Sequence, residues 1–279
     1  IASGSYDKSV KVWNAKTGDL VQTLEGRSGD VLSVCFNRDG SQIASGSDDN
    51  TVKVWSAKTG DLVQTLEGHS DRVNSVCFNH DGSQIASGSS DNTVKVWSSK
   101  IGDLVQTLEG HSDRINSVCF NRDGSQIASG SGDKTVKVWN AKTGDLVQTL
   151  EGHSDDVRSV CFNHDGSQIA SGSLDKTVKV WNAKTGDLVQ TLEGHSSGVT
   201  SVCFNHDGSQ IASGSWDKTV KVWNAKTGDL VQTLEGHINY VFSVCFNHDG
   251  SQIVSGSNDK TVKVWNAKTG DLVQFLEGH

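Results

Sequence analysis

Residues 43–84 read IASGSDDNTVKVWSAKTGDLVQTLEGHSDRVNSVCFNHDGSQ, and the rest of the chain is this stretch again with few changes. Tryptophan marks the period: Trp13, Trp55, Trp97, Trp139, Trp181, Trp223 and Trp265 follow one another at 42-residue intervals. Copies begin at residues 1, 43, 85, 127, 169, 211 and 253. A repeat of this length is one supersecondary unit that cannot cover its own apolar face, so it folds by stacking on its neighbours. The chain is therefore expected to form a single domain, 1–279, rather than the two that length alone allows.

Within one copy the apolar positions alternate with a period of two, not 3.6, so strands are expected and helices are not. Val73 to Asn79 (VNSVCFN) is β-branched and aromatic and reads as a strand, here a. His80-Asp81-Gly82 supplies a turn, and Ser83 to Ser89 (SQIASGS) is strand b, whose small residues permit close packing. Asp91-Asn92 is a tight turn into strand c, Thr93 to Trp97. Ser98 to Gly102 turns into strand d, Asp103 to Leu108. Four short antiparallel strands, repeated seven times, hide their faces by radial stacking, which predicts an all-β, seven-bladed β-propeller. An open stack would need polar end caps, and the first and last copies show no capping change.

Seven full periods exceed the chain by fifteen residues, the length of one strand a and its turn. The SVCF strand occurs six times, so the first blade is expected to lack its innermost strand. That edge would stand open unless residues outside the sequence fill it, and an open edge is an aggregation hazard. The chain has no methionine and reads as a piece of a longer, multidomain protein.

Gly-His before strand a, an Asp in the b–c turn, and Trp six residues after that Asp together resemble the WD-repeat β-propeller family, over the whole chain. The resemblance implies a side-chain network in each blade. In the third copy its members are His69, Asp91, Trp97 and a serine of strand b. That serine is Ser87 or Ser89, which point to the same face. The other copies supply His111, Asp133 and Trp139; His153, Asp175 and Trp181; His195, Asp217 and Trp223; and His237, Asp259 and Trp265. His279 would complete a network with Ser3, Asp7 and Trp13 and so close the ring. The second copy has Arg27 in place of histidine, and Arg27 is expected to pair with Asp49 beside Trp55. The family's Trp-Asp is Trp-Asn or Trp-Ser here, as at Asn14, Ser56 and Asn140; these side chains can still nucleate the next turn.

Comparing copies inside the chain locates the candidate binding residues. In an up-and-down blade the b–c and d–a connections share one face, and the a–b and c–d turns share the other. The second pair hardly changes. The position before the network Asp reads Tyr6, Asp48, Ser90, Gly132, Leu174, Trp216 and Asn258, all different. One position before strand a reads Asp30, Arg72, Arg114, Asp156, Gly198 and Tyr240; two residues on stand Leu32, Asn74, Asn116, Arg158, Thr200 and Phe242. Setting aside the strand-c tryptophans and strand-a phenylalanines, the aromatics are Tyr6, Trp216, Tyr240, Phe242 and Phe275, and four of these five sit at variable positions. Exposed aromatics beside arginines have the composition of binding hot spots.

Other function classes find no support. The net charge of -8 disfavours a nucleic-acid backbone as partner. No apolar run is long enough for a membrane helix. Ser-Gly-Ser sits in a strand and cradles no phosphate. The histidines of the a–b turns, His80, His164, His206 and His248, trade places with Arg38 and Arg122, so a metal role is not expected. One cysteine recurs per copy, Cys35, Cys77, Cys119, Cys161, Cys203 and Cys245, and is expected as a buried, reduced thiol suited to the cytoplasm. No one-off nucleophile, acid or base stands out. The expectation is a non-catalytic scaffold without cofactor or metal, taking a protein or peptide on its variable face. A propeller enzyme with a central-channel site and a ligand-free or engineered array are the alternatives. Near-identical copies with divergence at the rim resemble the sensor domains of NACHT-type signalling proteins, which implies ligand recognition coupled to a signalling domain elsewhere.

Overall fold

The computed structural model describes residues 1–277. The fold is all-β: seven antiparallel sheets, the first three-stranded and the others four-stranded, form the blades of a seven-bladed propeller. The chain divides into two compact units, residues 1–133 with 137–148, and residues 134–136 with everything from Thr149 onward.

The first unit opens with the sheet β1 (Ala2–Gly4), β2 (Val10–Trp13) and β3 (Leu20–Leu24). The second sheet is β4 (Val31–Phe36), β5 (Gln42–Ser47), β6 (Val52–Ser56) and β7 (Leu62–Leu66). The third is β8 (Val73–Phe78), β9 (Gln84–Ser89), β10 (Val94–Ser98) and β11 (Leu104–Leu108). These match strands a–d of the sequence to within a residue or so. In the second unit the same order runs from Val157–Phe162 to Leu188–Leu192, from Val199–Phe204 to Leu230–Leu234, and from Val241–Phe246 to Leu272–Glu277.

Strand alternation decides which face packs. In β6, Val52 and Val54 are fully buried while Lys53 between them reaches outward. Ala44, Val52, Val54 and Leu66 of the second sheet close on Val73, Val76, Ile85 and Trp97 of the third. In the second unit Ala170, Val178, Val180 and Leu192 close on Val199, Val202, Ile211 and Trp223 in the same way. Each such tryptophan buries about 200 Å², which at about 25 cal/mol per Å² gives an upper figure of roughly 5 kcal/mol. Strand b lies against the next sheet closely enough to require its small residues: a Cβ on Gly88 would sit 2.5 Å from Ile115.

Strand a carries a bulge that the alternation does not announce. Val73 pairs with Ser89 and Ser75 with Gly88, leaving Asn74 as the extra residue. The bulge recurs in all six strands a, so Leu32, Asn116, Arg158, Thr200 and Phe242 occupy the same extra position. A bulge re-aims the side chain it carries, and here it does so at a position where the copies differ.

Neighbouring strands a are joined by side chains rather than by a ladder. Ser33 Oγ accepts the Val76 N–H at 3.1 Å, and Ser75 Oγ accepts that of Val118 at 3.1 Å. Two residues further, Cys77 Sγ accepts the Phe120 N–H at 3.3 Å. In the second unit Ser201 and Cys203 do the same for Val244 and Phe246, at 3.0 and 3.2 Å. The recurring Ser-Val-Cys thus satisfies backbone donors that would otherwise face inward without partners. All six cysteines are free. They are half-buried where full burial was expected, since strand a is the edge of its sheet, and Cys245 is exposed. Burial pushes Cys77 up to about 11 and Cys161 up to about 12, which makes them poor nucleophiles.

Candidate binding surface

The side-chain network exists as a hydrogen-bonded chain, and it selects Ser87 over Ser89. Trp97 Nε1–H donates to Ser87 Oγ at 2.8 Å, and the same oxygen lies 2.7 Å from His69 Nε2. His69 Nδ1 meets Asp91 Oδ2 at 2.7 Å, and the second Asp91 oxygen accepts from Thr93 N–H and Oγ1–H. With the imidazole neutral, the Ser87 hydroxyl donates to Nε2 and Nδ1–H donates to Asp91, so every buried polar atom is satisfied. Ser89 holds the loop instead, where its hydroxyl donates to Asp71 O and accepts the Asp91 N–H.

The network repeats through His153, Ser171, Asp175 and Trp181, through His195, Ser213, Asp217 and Trp223, and through His237, Ser255, Asp259 and Trp265. His111, Ser129, Asp133 and Trp139 form it in the first unit. Burial works to raise the Asp91, Asp175 and Asp217 carboxyls. Hydrogen bonds from histidine and threonine outweigh it and hold all three well below the usual range. Asp259 is lowered to about 2 by the same balance. In the first blade Trp13 Nε1–H donates to Ser3 Oγ at 2.8 Å, and Asp7 caps Ser9 N–H. The expected partner His279 lies outside the described residues.

Arg27 occupies the histidine's place, as expected. Its guanidinium is fully buried and contacts Asp49 at 2.9 Å, Thr51, and both Ser45 Oγ and the Ser45 carbonyl. Its Nε is buried without a partner. Desolvation lowers its pKa from 12.5 to about 10 in spite of Asp49.

The network Asp directly follows the variable b–c residue, and its histidine begins the variable d–a loop. One carboxylate therefore pins both variable connections of a blade. They also touch each other: Ser90 N–H donates to Arg72 O at 3.0 Å, Trp216 N–H to Gly198 O at 2.9 Å, and Asn258 N–H to Tyr240 O at 2.9 Å. The shared face read from topology is thus present in each four-stranded blade.

Side chains at these positions fall into two kinds. Some serve the fold. Thr200 is buried, its hydroxyl shared between the carbonyls of Gly214 and Val241, and Asn74 donates to Ser90 Oγ and Ile115 O. These two bulge residues grip the next sheet. Leu32, Arg114, Asn116, Asp156, Arg158 and Leu174 are half-buried. Others stand clear: Tyr6, Asp48, Arg72, Tyr240, Phe242 and Asn258 are exposed.

In the second unit the apolar ones gather. Trp216 packs on Tyr240 with ring centroids 5.8 Å apart and planes tilted by 38°. Tyr240 is 44% exposed and Phe242 42%. Gly198 clears the space beneath: a Cβ there would lie 2.7 Å from Leu174 Cδ2 and 3.4 Å from the Trp216 ring. Leu174, Trp216 and Tyr240 thereby form a run across three successive blades. Trp216 Nε1 is buried there without a hydrogen-bond partner. The sequence comparison passed over Ile238, which is 79% exposed beside Tyr240. The five other copies described have serine there, so the comparison between copies held the signal. Phe275 lies away from these loops, on strand d, with Lys263 Nζ 5.5 Å above its ring.

The opposite face varies little: its a–b turns exchange only His and Arg, and in one c–d turn Ile101, 69% exposed, stands where the other copies have threonine. In the first unit Arg38 meets His80 at 2.5 Å, and burial followed by Arg38 and Arg122 lowers the His80 pKa. In the second, His164, His206 and His248 stack with centroids 4.0 and 4.7 Å apart. A hollow of about 570 Å³ beside them is lined by Asp165, Gln168, Asp207 and Lys226 among others, residues that recur in the other copies. Among the described residues no group of three or more His, Cys, Asp or Glu is placed to hold a metal ion. Among the described residues no helix is long and apolar enough to cross a membrane.

The family model for the WD domain, G-beta repeat, matches residues 1–14, 18–56, 60–98, 102–140, 144–182, 186–224 and 228–266. The chain belongs to the WD40 family. Each full match begins with strand d of one sheet and ends with strand c of the next, so the WD40 repeat and the blade are offset by one strand. Asn14 Oδ1 accepts the N–H groups of Lys16 and Thr17, and Ser56 Oγ that of Thr59, so the turn after the tryptophan forms without the family's aspartate. No curated protein matched the chain.

Proposed function

We propose that this WD40 domain is a non-catalytic recognition module that takes a protein or peptide on the face built from its b–c and d–a loops. The observation that carries the reading is the apolar run Leu174, Trp216, Ile238, Tyr240 and Phe242, the first two half-buried and the last three exposed, at positions where the copies differ, on a chain whose other face varies little. Tryptophan and tyrosine supply large, rigid contact area at small entropic cost and dominate binding hot spots. Tyr6, Asp48 and Arg72 are specificity positions on other blades, and Asn258 is one beside Tyr240.

The network beneath the rim supports pre-organisation. Loops pinned by Asp217 and Asp259 lose little freedom on binding, which favours affinity. The free thiols suit a reducing compartment such as the cytoplasm. Divergence confined to the rim of a repetitive body suits a sensor role of the NACHT-receptor kind, with the response in a further domain.

The test is selection of peptides on the domain from a random display library, followed by affinity measurement on a Trp216→Ala, Tyr240→Ala, Phe242→Ala variant. Selected peptides should lose at least about tenfold in affinity, roughly 1.4 kcal/mol. Undiminished binding by a variant that melts like the parent removes the aromatic face from the site.

A further inference from the structure

We infer that Arg38, His80 and Arg122, on three successive a–b turns of the first unit, form an oxyanion site that takes a phosphate group, free or as a small phosphomonoester. Three hairpins place these side chains alike. β4 and β5, β8 and β9, and β12 (Ile115–Phe120) and β13 (Gln126–Ser131) are each joined by the turn Asn-x-Asp-Gly. The Gly N–H donates to the Asn carbonyl in all three: Gly40 to Asn37 at 3.1 Å, Gly82 to Asn79 at 3.0 Å and Gly124 to Asn121 at 3.1 Å. The second turn residue is Arg38, His80 and Arg122 in order, so one repeated turn sets three basic side chains in a row.

The acid of each turn is committed within it. Asp39 Oδ1 accepts the Ser41 N–H at 2.9 Å, Asp81 that of Ser83 at 2.8 Å, and Asp123 that of Ser125 at 2.9 Å. Arg38 and Arg122 are exposed, and among the described residues neither pairs with a carboxylate. Arg38 Nη1–H donates instead to His80 Nε2 at 2.5 Å, which requires that nitrogen to carry no proton. His80 is half-buried. Burial, then Arg38, then Arg122 hold its pKa below the ordinary histidine value, and Asp81 opposes them least. Lys100 of the c–d turn acts on Asp81. The same turn position in the second unit holds His164, His206 and His248, so the hairpin itself has no need of arginine.

Two guanidiniums thus flank a neutral imidazole, and one of them gives a hydrogen bond to that weak, uncharged acceptor. A tetrahedral phosphate supplies what the cluster lacks. Its oxygens point several ways and accept a guanidinium fork on two sides, as charge-assisted hydrogen bonds. A carboxylate has two oxygens in one plane and satisfies one fork. The dianion also reverses the field at His80, since an opposite charge close by favours the protonated ring. Arg38 then turns from Nε2 to the phosphate, and Nε2 takes a proton from solvent and donates it to a phosphate oxygen. In each blade this site lies at the other end of strand b from the variable loops. It does not depend on the peptide-binding reading.

The probe is sodium orthophosphate, titrated calorimetrically into the 279-residue chain at about pH 8, where an ordinary imidazole is neutral, and about 0.15 M ionic strength, where diffuse attraction is screened. Saturable binding with a Kd of about 1 mM or lower is expected. Proton uptake should show as a difference between the heats in Tris and in Hepes. An Arg38→His, Arg122→His variant has the turns of the second unit, so it should keep the parent's Tm while its affinity falls at least about tenfold. His80→Gln should still bind, without the proton uptake. O-phosphoserine is titrated in parallel: affinity equal to that for orthophosphate supports an ester as the ligand, and weaker affinity supports free phosphate. No saturable binding, undiminished affinity in the double arginine variant, or heats that do not depend on the buffer overturn the inference.

Discussion

Arg27→His should stabilise the protein, although it removes a buried ion pair. The guanidinium at that site is completely enclosed, and its fall from 12.5 to about 10 corresponds to roughly 3 kcal/mol against the charged form. Its Nε is a buried donor with no acceptor, a defect that costs about 1–3 kcal/mol. Part of this overlaps with the desolvation penalty, and part is returned because Arg27 helps to keep Asp49 ionised. Histidine would enter a cavity whose walls are already those of the other blades: Ser45 donates where Ser87 does, Asp49 accepts where Asp91 does, and Trp55 Nε1–H already bonds Ser45 Oγ at 2.8 Å. A net gain of about 1–2 kcal/mol follows, which for a chain of this size raises Tm by about 2–4 °C. Scanning calorimetry at neutral pH reads it. Arg27→Ala is the counterpart, since it leaves Asp49 without its cation and should cost about 3–5 kcal/mol. A Tm for Arg27→His equal to or below the parent would refute the reasoning, because it would mean that the ion pair outweighs both the buried charge and the orphaned nitrogen.

Three further outcomes are expected. Ser213→Ala strips His195 Nε2 and the Trp223 indole N–H of their shared partner at once, and should cost about 2–4 kcal/mol, read as a Tm fall of about 4–8 °C; a fall under a degree would show that the hydroxyl is dispensable. Asp91, Asp175, Asp217 and Asp259 are all held below their unfolded values, so their contribution is present above about pH 4 and drains away as pH falls toward about 2, where the unfolded chain takes up protons first. A Tm that stays level from about pH 4.5 to 2.5 contradicts this. Iodoacetamide at pH 8 should alkylate Cys245 before Cys77 and Cys161: desolvation raises all three thiols, and Cys245 is the exposed one; mass spectrometry of the digest gives the order.

Much of this was legible because the chain carries seven versions of one sentence. The alternation in TVKVW and the spacing of Asp and Trp determine strand c, its turn and the blade, since a period of two has one structural meaning once the length is short. The choice between Ser87 and Ser89 was not legible. Both lie on one face, and only their distance along the strand from Trp97 Nε1 separates them. The bulge at Asn74 was hidden for a related reason: an extra residue in a strand leaves its composition unchanged and shows only in pairing. It explains why Thr200 and Asn74, variable like Phe242, turn to the neighbouring carbonyls. A short polar side chain at the bulge reaches those carbonyls, while a large aromatic one cannot and stays outside. Ile238 was in plain view as an apolar residue in a serine column, but it lies one position off the columns that vary most.

Where Ser201 and Cys203 greet Val244 and Phe246 just as Ser75 and Cys77 greet Val118 and Phe120, the joints are interchangeable parts. A gene that duplicates, deletes or shuffles whole 42-residue copies would leave each such seam chemically the same, while reordering what the loops display. New rims can then arise by recombination between copies, with no mutation needed in the body that carries them.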